Sequence, residues 1–392
     1  MAKIGRIIYL IDYPFSQRDY DRYGVGLLKN NEFKVEVWDL TPFLRPKIFA
    51  NKIAIDQVKH EEDKLFLDQD SALAAIRQLG SDCFIVCLIP YCLDSYAVYQ
   101  AISRKHLPYA VFIGNTTPSI SNSVRKESAI GKALRKIRRI KLNYMGERLF
   151  PYLPYKLLGI DPVTYILAGG EKSNSSSYPV AAKSEIMWLH ALDYDIYLKS
   201  KDMPARGGSR TAVFLDEYMP FHPDYIYAGI APHATAEDYY KALCQFFDRV
   251  EENLKVKIII AAHPHSEYEK HPDYFNGRTI IKRQTAELVR EAELVIAHSS
   301  TSINFAVLFN KPLIIVTTDK LEQSSLKPFI DTIALSLGKK VININKPGEI
   351  DFNAELKINQ EYYLRHKQYY IKKAGTEELP FWQIVANRLK RL

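Results

Sequence analysis

The chain is 392 residues long, 47% hydrophobic and 25% charged, with a formal net charge of +8. That length favours two hydrophobic cores over one, and the composition is that of an ordinary globular protein, which excludes gross disorder. No apolar run approaches the roughly 20 residues that a helix needs to span a bilayer, and the positive balance is spread unevenly along the chain.

From the N-terminus, Met1–Arg6 leads straight into the apolar Ile7–Ile11, which is too short for a signal-peptide core with a cleavage site and reads as a first strand. Strand-like runs recur at Arg6–Asp12, Lys34–Leu40, Cys83–Leu88, Tyr109–Gly114 and Val163–Ala168. Helical patterns lie between them at Gly24–Asn30, Ser71–Leu79 and Ser95–Arg104. Strands rich in Ile, Val and Leu with helix-length crossovers predict a parallel sheet covered on both faces. Cys83, Cys87, Cys92 and Cys244 lack metal-ligand partners at suitable spacing and read as reduced, packing cysteines.

Between Arg125 and Arg148 stand nine Lys/Arg against two Glu, with Ile130, Leu134, Ile137 and Leu142 recurring at near-helical spacing. An apolar stripe flanked by basic groups fits an anionic membrane surface, and equally a solvated helix packed on its own domain. Nucleic acid is not expected as a partner, because no zinc-finger, RNP-type or helix-turn-helix signature accompanies the charge. Gly169–Ser177 reads as a loop, and Glu185–Leu198 as a further strand.

Lys201–Arg210 reads as the domain linker. Beyond it the alternation restarts: strand Thr211–Leu215, helix Ala236–Leu254, strand Val256–Ala262, helix Ala286–Glu291, strand Leu294–His298, helix Ser302–Phe309, then strands Leu313–Thr317 and Lys340–Ile344. Pro380–Leu392 is a basic helix expected to cross back onto the first domain. The economical architecture is α/β, two doubly wound Rossmann-like domains facing across a cleft: residues 1–200, residues 201–375, and a returning C-terminal helix in 376–392.

In open α/β sheets ligands bind beyond the carboxyl ends of the strands. Asp216-Glu217 stands at such an end, where one acid is suited to take a proton from an acceptor hydroxyl, unless both simply cap a turn. His263-Pro264 presents an imidazole from a stiff turn, able to donate a proton or to neutralise a leaving phosphate. His298-Ser299-Ser300-Thr301, followed by Ser302, carries more hydroxyls than one helix cap needs, which favours an anion site. Glu287 falls in the first turn of a helix, with Thr285 as its expected N-cap; the helix dipole alone accounts for it, and a bond to ribose is its functional reading. Asp19-Tyr20-Asp21 and Asp193-Tyr194-Asp195 match a bare metal-binding triplet but do not follow the expected strand, so neither a metal nor another cofactor is expected. The chain has no Gly-x-Gly-x-x-Gly or Walker loop, which argues against a dehydrogenase or an ATPase.

In their order, the acidic pair, His-Pro, a helix Glu and Ser-Ser resemble the GT-B bacterial sialyltransferases and polysialyltransferases, and their relatives that transfer Kdo and other nonulosonic acids from CMP donors into surface polysaccharides. The resemblance covers the second half of the chain. It implies Glu217 or Asp216 as base, His263 of the His263-Pro264 motif assisting the departing CMP phosphate, and Glu287 on the ribose. It further implies Ser299, Ser300 and Thr301 around the phosphate, and His298, which opens the same stretch, is a phosphate-site candidate from its place at the strand end. The family's acidic motif ends in Gly, where this chain has Tyr218.

The activity so implied is an inverting, metal-independent transfer of a sugar to a hydroxyl of a capsule, O-antigen or lipooligosaccharide glycan. It would run on the cytoplasmic side of a bacterial plasma membrane, with residues 125–148 as the peripheral contact. Asp12, Arg18 and Asn115, which follow strand ends of the first domain, are the acceptor-binding candidates. Alternatives are a GT-B transferase or epimerase using a UDP- or dTDP-sugar, a phosphotransferase using CDP-polyols, and a non-catalytic subunit of a polysaccharide assembly complex.

Overall fold

The computed structural model describes residues 3–50, 60–114, 116–118, 150, 153–173, 177–204, 210–222, 225, 230–346, 348 and 350–392. The basic segment 125–148, Asn115 and residues 205–209 of the expected linker lie outside the described residues.

The chain divides into two compact units, with Gly375–Leu392 joined to the first and Asp193–Ala374 forming most of the second. The division falls at Asp193, ahead of the Gly-rich stretch that composition alone marks as the linker. Glu185–Leu198, read as one strand, is a strand only over Glu185–Trp188. The helix Leu192–Ser200 that follows belongs almost wholly to the second unit.

The first unit is built on β1 (Arg6–Ile11), β2 (Lys34–Asp39), β3 (Asp63–Leu65), β4 (Cys83–Cys87), β5 (Tyr109–Ile113), β6 (Tyr165–Ala168) and β7 (Glu185–Trp188). All run parallel, in the order β3-β2-β1-β4-β5-β6-β7. Side chains alternate across a strand, so Ile8 and Leu10 of β1 enter one core while Ile7, Tyr9 and Ile11 enter the other. Both faces are buried, the reason these strands read as near-continuous apolar runs. The short β3 escapes a sequence reading because all of its residues are exposed at the sheet edge.

The C-terminal helix Phe381–Leu389 covers one of these faces, as expected. Phe381, Trp382, Val385 and Leu389 join the core that holds Tyr9 and Phe84. Trp382 donates its indole N–H to the carbonyl of Arg22 at 3.1 Å and packs edge-on against Tyr9. Its ring fits only because Gly24 has no side chain: a Cβ there would lie 2.5 Å from the indole, at a backbone φ of +62° that glycine tolerates. His190 ties the preceding segment, its ring nitrogens lying 3.0 Å from the Ala191 carbonyl and 2.9 Å from that of Leu379.

The second unit repeats the plan with β8 (Thr211–Leu215), β9 (Lys257–Ala262), β10 (Thr279–Lys282), β11 (Leu294–Ala297), β12 (Leu313–Thr317) and β13 (Val341–Asn343), ordered β10-β9-β8-β11-β12-β13. The strands are again parallel. The amphipathic helix Ala236–Leu254 crosses from β8 to β9, capped by Thr235 and burying Tyr239, Leu243, Phe246, Phe247 and Val250. Strand order reverses at β8, which has β9 on one side and β11 on the other. This is the topological switch point, and the ends of β8 and β11 meet in register there at Leu215 and Ala297.

Trp382→Ala removes a fully buried indole, for which a loss of about 3–5 kcal/mol is expected. Urea denaturation should show a correspondingly lower midpoint; an unchanged midpoint would mean that the C-terminal helix does not support the first core.

Candidate functional site

The chain leaves β8 as Asp216-Glu217. The Asp216 amide still donates to the Ala261 carbonyl at 3.1 Å, so the extended backbone continues past Leu215 and the two carboxylates point in opposite directions. Asp216 turns toward β9. It is 4% exposed and accepts from the Tyr218 amide at 2.9 Å, the Tyr268 hydroxyl at 2.8 Å and the His263 amide at 3.3 Å. Glu217 turns toward β11, where its two oxygens accept from the amide of Ser299 at 2.7 Å and from its hydroxyl at 2.9 Å.

One dipeptide therefore touches the residues that follow two other strands, and the acidic, His-Pro and Ser-Ser motifs converge at the carboxyl edge of one sheet. Tyr218 follows with φ +50°, the left-handed region that favours glycine. The backbone bends at this position as the Gly of the resembling motif would allow, and Tyr218 holds the bend by burying its ring and bonding its hydroxyl to His271 Nε2 at 3.0 Å.

Burial raises both acids. Loss of solvent pushes the Asp216 carboxyl up to about 6, against the opposing donors Tyr218, Tyr268 and His263. Glu217 is pushed up to about 7 by the same cause, opposed by Ser299. The two acids differ in access: Asp216 is enclosed and its lone pairs serve three donors, whereas Glu217 is partly exposed. Of the pair left open by sequence, Glu217 is the more accessible carboxylate and Asp216 the enclosed one.

Other candidates fall out differently. His298 is fully buried, with Nδ1 2.7 Å from the Val316 carbonyl and Nε2 2.9 Å from the Tyr239 hydroxyl. A carbonyl only accepts, so Nδ1 carries the proton, and burial holds the ring neutral by lowering its pKa to about 4. Both nitrogens are engaged, which corrects the expectation that His298 binds phosphate: it pins the end of β11.

Ser299 is likewise corrected, since its amide and hydroxyl serve Glu217. Ser300 is partly exposed; its hydroxyl accepts from the Ser302 amide at 3.2 Å and retains its own proton to donate. Thr301 is exposed. The hydroxyls sit in a turn ahead of the short helix Ile303–Leu308.

The partly exposed His263 accepts at Nδ1 from the His265 amide at 3.3 Å, so its neutral ring carries the proton on Nε2. Pro264 beside it is partly exposed. Glu287 lies in the first turn of Thr285–Glu291, as expected, though the N-cap is Gln284 rather than Thr285. In the first unit, Asp12 follows β1 and pairs with Arg45 Nε at 3.0 Å, and Arg18 is exposed on the helix Gln17–Arg22. Asp19 of the first Asp-x-Asp triplet accepts from Ser16, and Asp193 of the second accepts from Asn304. Among the described residues no group of His, Cys, Asp or Glu is arranged to hold a metal ion.

Sequence reasoning missed Tyr268 and Tyr239, the hydroxyl partners of Asp216 and His298. Tyr239 looks like one more apolar position on an amphipathic helix, and no motif marks Tyr268.

No family model and no curated protein matches the chain. Among solved structures it is similar to a putative UDP-N-acetylglucosamine 2-epimerase from Listeria monocytogenes, at 10% identity and a TM-score of 0.51, covering 99% of this chain and 96% of that one. It is also similar to the wall teichoic acid polymerase TagF soaked with CDPG, at 11% identity and a TM-score of 0.52, covering 99% of this chain and 88% of that one. Likeness at this identity establishes the fold, two Rossmann-like units of the GT-B class.

The raised carboxyl pKa values carry a sign for stability. Each acid holds its proton in the folded state above pH 4, where the unfolded chain has released it, so stability falls as pH rises from about 4 toward 7. Thermal unfolding of Asp216→Asn/Glu217→Gln should therefore depend less steeply on pH between 5 and 8 than the parent; parallel curves would show that neither acid is perturbed.

Proposed function

We propose that the protein is an inverting, metal-independent glycosyltransferase that moves a nonulosonic acid such as Kdo or a sialic acid from a CMP-activated donor to a glycan hydroxyl. The observation that carries this reading is the pair of bonds from Ser299 to Glu217, which joins the acidic motif to the Ser-Ser motif at the switch point of the second sheet. The fold supports a nucleotide-sugar enzyme by analogy, and the order of the motifs supports the CMP donor.

In this mechanism Glu217, oriented by Ser299, takes the proton of the acceptor hydroxyl through a lone pair those bonds leave open. The acceptor oxygen attacks the anomeric carbon as the bond from that carbon to the phosphate oxygen breaks, and the departing electron pair stays on CMP. The Nε2–H of His263 and the hydroxyls of Ser300 and Thr301 donate to the phosphate, the electrostatic contribution that weighs most in such transfers. Glu287 bonds the ribose. Asp12, Arg18 and Asn115 belong to the acceptor side, and residues 125–148 hold the enzyme against an anionic membrane, for which salt-sensitive vesicle binding is expected; no binding at low salt would remove that contact.

The similar structures keep a second reading in play. TagF was soaked with CDPG, and the Listeria protein is described as acting on UDP-N-acetylglucosamine. A CDP-polyol transferase or a UDP-sugar enzyme would use the same His263 and Ser300 contacts. Turnover of a panel of CMP-, CDP-, UDP- and dTDP-activated donors separates these cases: CMP-sugars should be consumed fastest, and preferential use of CDP or UDP donors overturns the CMP reading. With the preferred donor, kcat should rise with pH through about 7 as Glu217 ionises, and Glu217→Gln should lose roughly 10²–10⁴-fold along with that limb. A Glu217→Gln enzyme of full activity would exclude Glu217 as base.

A further inference from the structure

Asp216 is bonded to both ends of one loop. Its Oδ2 accepts from the amide of His263, where the loop leaves β9, and from the hydroxyl of Tyr268, where the loop enters a short 3-10 turn. Between these points Ser266 turns back on the His263 carbonyl at 2.9 Å.

The staple is itself rigid. Tyr268 is buried, its ring lies edge-on to Tyr218 and Phe275 at 5.2 and 5.1 Å, and its hydroxyl meets that of Tyr240 at 3.0 Å. The loop also tolerates a defect: the Ser266 hydroxyl, 2% exposed, has no hydrogen-bond partner among the described residues. An orphaned buried hydroxyl is destabilising, and the loop would relax to satisfy it unless something else fixed its path. The bonds to Asp216 fix it.

We propose that Tyr268 is a positioning residue which, through Asp216, sets the height and direction of the His263 imidazole. The inference rests on the reading of His263 as the group that serves the leaving phosphate. Tyr268 touches no reacting atom; it acts through Asp216 and the His263 amide. Removing its hydroxyl leaves the ring packing intact and lets the turn shift, and a displacement near 1 Å at a reacting group costs on the order of 10²-fold in rate.

Tyr268→Phe tests this in two arms. In the first, kcat should fall by about 10- to 100-fold with the donor KM within about threefold, while the rise with pH through 7 is kept because Glu217 is untouched. Placed in a His263→Ala background, the same substitution should cost nothing further, since both changes remove one function. Losses that multiply, or a Tyr268→Phe enzyme that melts lower yet turns over normally below its melting range, would overturn the proposal. The second arm needs no activity: in histidine-labelled protein the imidazole resonances of His263, identified by their loss in His263→Ala, should shift in Tyr268→Phe while those of His366 stay in place. An unmoved His263 overturns the staple. Absence of nucleotide-sugar turnover by the parent chain would instead defeat the functional reading and leave this second arm to decide the inference.

Discussion

Two adjacent carboxylates at the end of one strand hold the candidate site together. Successive residues of an extended chain point to opposite sides, so Asp216 and Glu217 reach the neighbours of β8 on either hand. One bonds the amide where β9 ends, and the other bonds the amide and hydroxyl that follow β11. The arrangement needs an interior strand with a neighbour on each side, which β8 has in β9 and β11 at the switch point. Its cost is desolvation, which raises both acids, and a left-handed backbone at Tyr218, a conformation that costs a bulky residue on the order of 1–2 kcal/mol. Strain and buried charge collected at one strand end mark a place where geometry matters more than local stability.

Much of the fold is legible in the sequence because both faces of each sheet are buried. Runs such as Ile7–Ile11 and Ile258–Ala262 carry few polar residues, and the helix Ala236–Leu254 announces itself by its cap and its periodic apolar face. The edge strand β3 is hidden for the opposite reason, having nothing to bury. The unit boundary falls at Asp193, ahead of the Gly-rich stretch, and within the second unit the helix Leu192–Ser200 sets Tyr197 against Phe309.

The site is legible as a set of motifs and illegible as a network. Short polar motifs after strands identify where chemistry can sit, but not which groups face a ligand and which face each other. His298 and Ser299 stand in the same motif as Ser300 and Thr301, yet the first two are turned inward by Val316, Tyr239 and Glu217. Asp216 and Glu217 are equivalent acids in sequence and differ in structure by burial and by the number of donors each receives. Tyr268 has no sequence signal, because its partner lies fifty-two residues away across a strand crossover.

The fold alone leaves the donor open, since nucleotide sites of this architecture serve several activated groups and function resides in the local constellation. What matters most is whether the ends of β9 and β11 cradle one departing phosphate. A crystal structure with CMP bound decides it most directly. The phosphate should lie within hydrogen-bond distance of His263 Nε2 and of the Ser300 or Thr301 hydroxyl, with the ribose at Glu287; a phosphate held away from both strand ends would refute the proposed site.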